Sequence, residues 1–501
     1  MGLRKLTAEY AEGMIGCKNC RIYLVDYSEQ YVKELFAKYD LLDHLAGVLQ
    51  DTDNRMAGDR TEVGRKALVC GRELPVYSYE DAFDLEYPGS FIILNDYFEQ
   101  TYERLMCRKK EESKATLDIF YFENHETEIE IYYRRKYEHT PLEDLIIFRS
   151  GPHASSYVKG MDYTDNARAL FEYMLKEGYN QRYRLVWLVK EPQGFSRIAQ
   201  KHENISFVSF DWSVSEKKEE RDAYYEVLCL AKYIFMTDAY GFARNARKDQ
   251  IRVQLWHGCG FKTRVNFVRC EKRYEYTTVI SDLYAKIHQE IYGLRADQVL
   301  VTGYAKEDWL FHPDREAWEA LSMPKAKKYI FWLPTFRMAK EGLGILNEYE
   351  QKGQTGLPAV DTKEKLEELD RLLAELNVVL VIKLHPFQDP GRIGRFETRH
   401  VVLLDNDLLM EKDIQINRLL GWADGLISDY SSAAVDYLLL DRSIGFILED
   451  VEEYGESRGF VFDPIRDWLP GAELFSFADF CSFVREIGMG IDSTREKRQK
   501  L

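Results

Sequence analysis

Short apolar runs alternate along this chain with longer stretches in which apolar residues recur every three or four positions. These are the periods expected of buried strands and amphipathic helices. The first run is Arg-Ile-Tyr-Leu-Val-Asp at 21–26, followed by a helical pattern from Ser28 to about Tyr39, with further strands predicted at 45–49 and 91–94. A polar, charged stretch from about 108 to 143, carrying a strand-like insert at 117–122, leads to a second unit that opens with Leu145-Ile146-Ile147-Phe148. That unit continues through a helix at about 166–177 and strands at 184–189, 205–208 and 232–236. The alternation restarts after about residue 296, with strands expected at 298–301, 329–333, 378–382, 400–404, 425–427 and 444–447. Strands alternating with helices imply parallel sheets. The expected fold class is therefore α/β, with a small N-terminal Rossmann-like domain at 1–140 and two doubly wound domains at 141–295 and 296–501.

Composition narrows the partners. With 45% hydrophobic and 30% charged residues the chain has the make-up of an ordinary globular protein, and its 501 residues exceed what one core accommodates. A net charge of −16 argues against a nucleic-acid partner, which needs concentrated Lys and Arg. No apolar run reaches the length of a membrane span, and MGLRKLTAEYAEGMIG lacks the apolar centre of a signal peptide, so a cytoplasmic location is expected. Of eight cysteines only Cys17 and Cys20 are closely spaced; without a second ligand pair, they read as structural spacing rather than a zinc site.

In parallel α/β sheets ligands bind beyond the carboxyl ends of the strands, so the residues that follow each strand are the candidates. In the first domain Asp51 or Asp53 closes the second strand, where a ribose would sit, but the first turn, Asp26-Tyr27-Ser28-Glu29, has no glycine for a dinucleotide. In the later domains Val253-Gln254-Leu255 leads to Trp256-His257-Gly258, the strand at 329–333 to Pro334-Thr335-Phe336-Arg337, and Val379–Leu384 to His385-Pro386. Leu426-Ile427 runs into Ser428-Asp429-Tyr430-Ser431-Ser432, placing two hydroxyls where a helix begins. Unpaired N–H groups and the helix dipole there favour an anion such as a diphosphate, although a plain N-cap explains the same residues. Asp436 lies one helical turn beyond Ser432. The Gly-rich stretch 341–362 reads as a long loop able to close over an acceptor, and Asp405-Asn406-Asp407 as a turn rather than a metal site. Trp256 and Tyr430 read as packing residues.

The series Tyr163-Thr164-Asp165-Asn166, Gln254–Gly258 with Lys262, Thr302-Gly303-Tyr304, Leu333–Arg337, Lys383-Leu384-His385-Pro386, Ile427–Tyr437, Glu452-Glu453-Tyr454 and Arg458-Gly459-Phe460 resembles the CDP-glycerol glycerophosphotransferases of teichoic-acid synthesis. The resemblance spans about 145–485. It departs where the family usually reads W-H-G-T-P-x-K, here Trp256-His257-Gly258-Cys259-Gly260-Phe261-Lys262, and G-Y-P-R-N-D, here Gly303-Tyr304-Ala305-Lys306-Glu307-Asp308.

The resemblance implies the GT-B fold of two facing Rossmann-like domains. It also implies a reaction in which an acceptor hydroxyl attacks the glycerol-bearing phosphorus of CDP-glycerol and expels CMP. His257 is then the proton acceptor and His385 its catalytic counterpart in the other half. Arg337, Lys383, Ser431 and Ser432 would hold the diphosphate, Asp436 the polyol hydroxyls, and Gly258 and Lys262 complete the substrate-binding set. No metal site and no required cofactor are expected, Mg²⁺ on the diphosphate staying open. The implied partners are CDP-glycerol or a related CDP-polyol and a lipid-linked or polysaccharide acceptor, with peripheral attachment at the inner membrane face. Oligomeric state is left undetermined. Two alternatives are a GT-B glycosyltransferase using a nucleotide sugar and a non-catalytic binding member of a polymer-assembly complex.

Overall fold

The computed structural model describes residues 3–6, 8–17, 20–27, 29–50, 66–83, 89–94, 98–108, 117–122, 128–151, 161–237, 246–262, 273–334, 353–384, 397–457 and 459–500. The chain divides into two compact units, one up to residue 132 and the other from 133 onward.

The first unit holds β1 (Arg4–Lys5), β2 (Ile22–Val25), β3 (Leu45–Gln50), β4 (Lys66–Val69), β5 (Arg72–Ser78), β6 (Ser90–Ile93) and β7 (Asp118–Tyr121), in the order β1-β7-β6-β2-β3-β5-β4. All neighbours run parallel except β4, which forms a hairpin with β5. The insert at 117–122 is thus a sheet strand, its Ile119 and Phe120 buried. The hairpin escaped the sequence reading because its turn, Cys70-Gly71, adopts positive φ at both residues without the Asn-Gly or Asp-Gly signature. Asp26, at the end of β2, has a left-handed φ of 43°. Its carboxylate accepts from the Tyr79 hydroxyl at 2.6 Å and lies 3.4 Å from Arg104. Asp51 and Asp53 lie outside the described residues.

The second unit carries two sheets. One contains β8 (Glu143–Ser150), β9 (Arg184–Val189), β10 (Ile205–Ser209), β11 (Ala231–Thr237), β12 (Ile251–Gln254), β13 (Tyr276–Val279) and β14 (Val299–Val301), ordered β10-β9-β8-β11-β12-β13-β14. The other contains β15 (Lys328–Trp332), β16 (Val378–Lys383), β17 (Val401–Leu404), β18 (Gly425–Ser428), β19 (Ser443–Ile447) and β20 (Ala472–Leu474), ordered β17-β16-β15-β18-β19-β20. Every pairing in both sheets is parallel. This is the α/β architecture of two Rossmann-like sheets expected of a GT-B fold. Each sheet reverses its winding beside its first strand, at β8/β11 and β15/β18, and ligand crevices open at such points.

The strand at 298–301, expected to open the last domain, is β14 and closes the edge of the preceding sheet against β13. The stretch 341–362 is not a free loop throughout. Its described end is buried, with Leu357, Ala359 and Val360 packed among Ile330, Trp332, Leu380 and Phe480 of the second core. The first core gathers Phe148, Tyr163, Phe171 and Trp187 around β8 and β9. Among the described residues no helix is long and apolar enough to cross a membrane.

Candidate active site

His257 follows β12 on a loop whose backbone is held at several points. The Asn166 amide donates to the carbonyls of Leu255 (3.1 Å) and Trp256 (2.9 Å), the Thr278 hydroxyl donates to Leu255 (3.0 Å), and the Trp256 N–H donates to Gln254 Oε1 (3.1 Å). Trp256 takes a left-handed φ of 57°, and Gly258 a φ of 150°. Between these two turns the His257 side chain is exposed, its ring stacked on Trp256 at a centroid distance of 5.3 Å. Trp256 itself is buried, as a packing residue should be.

Ser431 and Ser432 follow β18. Ser431 is the N-cap of the helix Ser432–Tyr437, its hydroxyl accepting from the Ala433 N–H at 3.3 Å. The N-cap expected from sequence is thus Ser431, with Ser432 the first residue of the helix. The turn before it is set by aromatic packing. Tyr430 is fully buried, donates to Asp450 at 2.8 Å, and packs its ring at a tilt against Tyr454 (4.4 Å) and Phe460 (4.9 Å). The later motifs around Tyr454 and Phe460 thus support the serine turn from behind.

The loop after β12 is stitched onto the second half. A Cβ added at Gly258 would stand 2.5 Å from Ser432 Oγ, and one at Gly260 would stand 3.2 Å from the Ser432 N atom. Only glycines permit that approach. Farther along, the Val461 N–H donates to the Phe261 carbonyl at 2.9 Å, and Lys262 forms an antiparallel bridge with Phe460. The structure therefore sets Gly258 and Gly260 against Ser432 and Lys262 against Phe460, with His257 on the peptide that precedes Gly258.

Behind this seam lies a buried charged cluster that motif reading did not assemble. Lys306 donates to the His257 carbonyl oxygen, and its Nζ is 3.5 Å from both Asp165 and Asp436. Its backbone N–H donates to Asn166 Oδ1 at 3.1 Å. Burial would lower the Lys306 ammonium, but Asp165, Asp436 and Glu307 outweigh it and hold it above its ordinary range. Asp436, read from sequence as an acid facing the cleft, is instead 3% exposed and is the ion-pair partner of Lys306. Burial raises its carboxyl, with Lys306 opposing. Glu307, beside it, is pushed up to about 7 by burial and then by the charge of Asp436. Cys259 lies 3.0 Å from the Tyr304 hydroxyl, and burial pushes its thiol up to about 12, so it stays protonated at neutral pH.

A second set of ion pairs crosses between the halves nearby. Arg168, on the helix Asp165–Lys176, pairs with Asp413 (2.8 Å), Arg418 pairs with Glu172, and the Thr164 hydroxyl donates to Gln415 at 2.5 Å.

Lys383 ends β16, and burial lowers its ammonium to about 8. Arg337 and His385 lie outside the described residues. Asp405, expected in a turn, caps the helix Asn406–Glu411 by accepting from the Asp407 N–H at 3.0 Å. Among the described residues no group of three His, Cys, Asp or Glu side chains is placed to hold a metal.

Residues 131–501 match the family model described as CDP-Glycerol:Poly(glycerophosphate) glycerophosphotransferase. The chain is 27% identical over 291 residues to the teichoic acid ribitol-phosphate polymerase TarK of Staphylococcus aureus (strain NCTC 8325 / PS 47), covering 54% of this chain and 53% of that protein. It is 25% identical over 346 residues to the teichoic acid glycerol-phosphate primase of Bacillus subtilis (strain 168), covering 65% of this chain and 81% of that one. For TarK and for the related TarL, the chain spans about half of the relative's length. Among solved structures, the wall teichoic acid polymerase TagF superposes with a TM-score of 0.55 at 20% identity, over 74% of this chain and 87% of that one, a likeness of fold.

Proposed function

The chain belongs to the CDP-glycerol:poly(glycerophosphate) glycerophosphotransferase family, and from that premise we propose that it moves a polyol phosphate from CDP-glycerol to a hydroxyl of a cell-surface polymer acceptor, releasing CMP. The observation that carries the reading is the seam at Gly258 and Ser432. There the loop bearing an exposed imidazole meets a serine-capped helix end, which supports reading the two as proton acceptor and anion-binding turn of one site.

In this reading the sheet that β14 closes at Val301 serves the acceptor side, and the sheet that opens with β15 at Lys328 serves the donor. His257 takes the proton of the attacking hydroxyl as its oxygen bonds to the glycerol-bearing phosphorus. The phosphorus–oxygen bond to CMP breaks, and CMP leaves with the electron pair. Such transfer asks chiefly for alignment and fixed positive charge. Ser431, Ser432 and the helix N-terminus supply donors, and Lys383 supplies the charge, with Arg337 and His385 assigned beside it. No protein-held cofactor enters this scheme. Mg²⁺ on the diphosphate is an open addition that titration with EDTA decides. The acceptor is a lipid-linked or polysaccharide chain of the teichoic or capsular type, and the enzyme meets it by peripheral contact at the membrane, measured by liposome flotation.

The test is product identity. Incubation with CDP-glycerol, CDP-ribitol and UDP-sugars should release CMP from CDP-glycerol as glycerol phosphate is transferred, or from CDP-ribitol if the polyol is ribitol, and His257→Ala should abolish release while CDP-glycerol affinity is retained. Release of UDP instead would make the protein a glycosyltransferase. The ribitol arm matters because the relatives include both glycerol-phosphate and ribitol-phosphate enzymes.

A further inference from the structure

Lys306 is only 6% exposed, yet its ammonium stands between two carboxylates and reaches three chain segments at once. Its Nζ is 3.5 Å from Asp165 at the start of the helix Asp165–Lys176, donates to the His257 carbonyl beyond β12, and is 3.5 Å from Asp436 in the helix that Ser431 caps. Asp165 and His257 belong to the first sheet's loops, Asp436 to the second's. The Lys306 backbone is fixed in turn, its N–H on the Asn166 side chain whose amide also holds Leu255 and Trp256. A Cβ at Gly258 would be 4.0 Å from Nζ, so the ammonium sits directly behind the glycine that lets the two halves touch.

A buried cation between two carboxylates is a poor stabiliser compared with apolar packing. What it supplies is geometry. Its hydrogen bond on the His257 carbonyl fixes the peptide that aims the imidazole, while its ion pair with Asp436 fixes the helix whose first turn presents Ser431 and Ser432. We infer that Lys306 is the positioning residue of the reaction, a strut that sets the distance between the proton acceptor of one half and the donor-binding helix of the other. The inference rests on the proposed polyol-phosphate transfer for its kinetic arm. Lys306 touches no reacting atom in this account; it acts through His257 and the helix.

The experiment compares the full-length chain with Lys306→Met, which keeps the length but not the charge, and Lys306→Arg, which restores a cation. In CMP release from CDP-glycerol, K306M should lower kcat by about 10²-fold, the cost typical of a misplacement near 1 Å, with KM for the donor held within about threefold. K306R should regain at least about tenfold of the loss. Hydrogen exchange on the same proteins, which needs no turnover, should show faster exchange in K306M at 256–260 and 432–436 together, with the cores around β9 and β16 unchanged. Should K306M fail to fold, Asp165→Asn removes the partly exposed carboxylate that steadies the Lys306 ammonium from the side and should give the same split between kcat and KM in smaller degree. Wild-type kcat in K306M, no recovery in K306R, or faster exchange spread evenly over the chain would each overturn the inference. If the wild-type protein releases no CMP from any CDP-polyol, the functional reading falls, and the exchange pattern alone still decides whether Lys306 couples the two segments.

Discussion

Replacing Gly258 by Ala tests the seam at its tightest point. The residue sits at φ 150°, a conformation that L side chains rarely adopt, and the added Cβ would lie 2.8 Å from Ser432 Cβ and 2.5 Å from its Oγ. Ordinary contact begins at 3.4 Å, so even with the hydroxyl rotated away the Cβ–Cβ contact requires the two segments to part by about 0.6 Å. Overpacking on that scale costs about 1–3 kcal/mol. The backbone strain adds about 1–2 kcal/mol. A thermal melt should show the resulting loss as a fall of several degrees in the transition of the second unit. Turnover should fall further than stability does, by about 10²-fold, because the displaced peptide carries His257. Adding Ser432→Gly removes both clashing atoms, so the double variant should recover the overpacking share of stability while keeping the strain. Gly258→Ala with wild-type melting and turnover, or a double variant no more stable than the single, would refute the close approach.

The double replacement Ser431→Ala plus Ser432→Ala should raise the dissociation constant for CDP-glycerol, measured calorimetrically, and the lost cap alone should cost about 1 kcal/mol in a denaturant titration. Glu307, held at about 7 in the fold against an ordinary 4.5, keeps a proton that the unfolded chain has already released across that window. Stability should therefore fall as pH rises from about 4.5 to 7 and level off above it. Glu307→Gln should flatten this slope in melts taken at pH 5, 6 and 7, and an unchanged slope would contradict the burial argument. Lys383, lowered to about 8 by burial, should lose its charge as pH rises through that value, so kcat/KM for the donor should drop on the alkaline side. Lys383→Arg, always charged, should remove that limb.

The parallel sheets were legible in the sequence because their strands are buried on both faces and read as unbroken apolar runs, as in Val378–Lys383 and Arg184–Val189. Strands with mixed composition were not. β13 is Tyr-Thr-Thr-Val and β20 Ala-Glu-Leu, too short and too polar to announce a period. At the site, His257 and the two serines could be picked out because each directly follows a strand. Asp436 was placed on the correct helix but in the wrong environment, since its burial depends on Lys306, which packs against it from a different segment. Lys306 stood within a motif marked as a departure, yet its contact with Asn166 joins positions 140 residues apart, and no local pattern encodes that. The N-terminal unit shows the same limit. The first turn's missing glycines were plain in the sequence, whereas the pairing of Asp26 with Tyr79 and Arg104 needed coordinates.

The central claim is that a cytidylyl-activated polyol lies between the imidazole of His257 and the capped helix end at Ser431. A crystal structure of His257→Ala soaked with CDP-glycerol measures this directly. Diphosphate oxygens are expected within hydrogen-bond distance of Ser431 and Ser432, with the glycerol-bearing phosphorus facing the vacated side chain at 257. A donor bound elsewhere, or bound at the serines with that phosphorus turned away from residue 257, would contradict it.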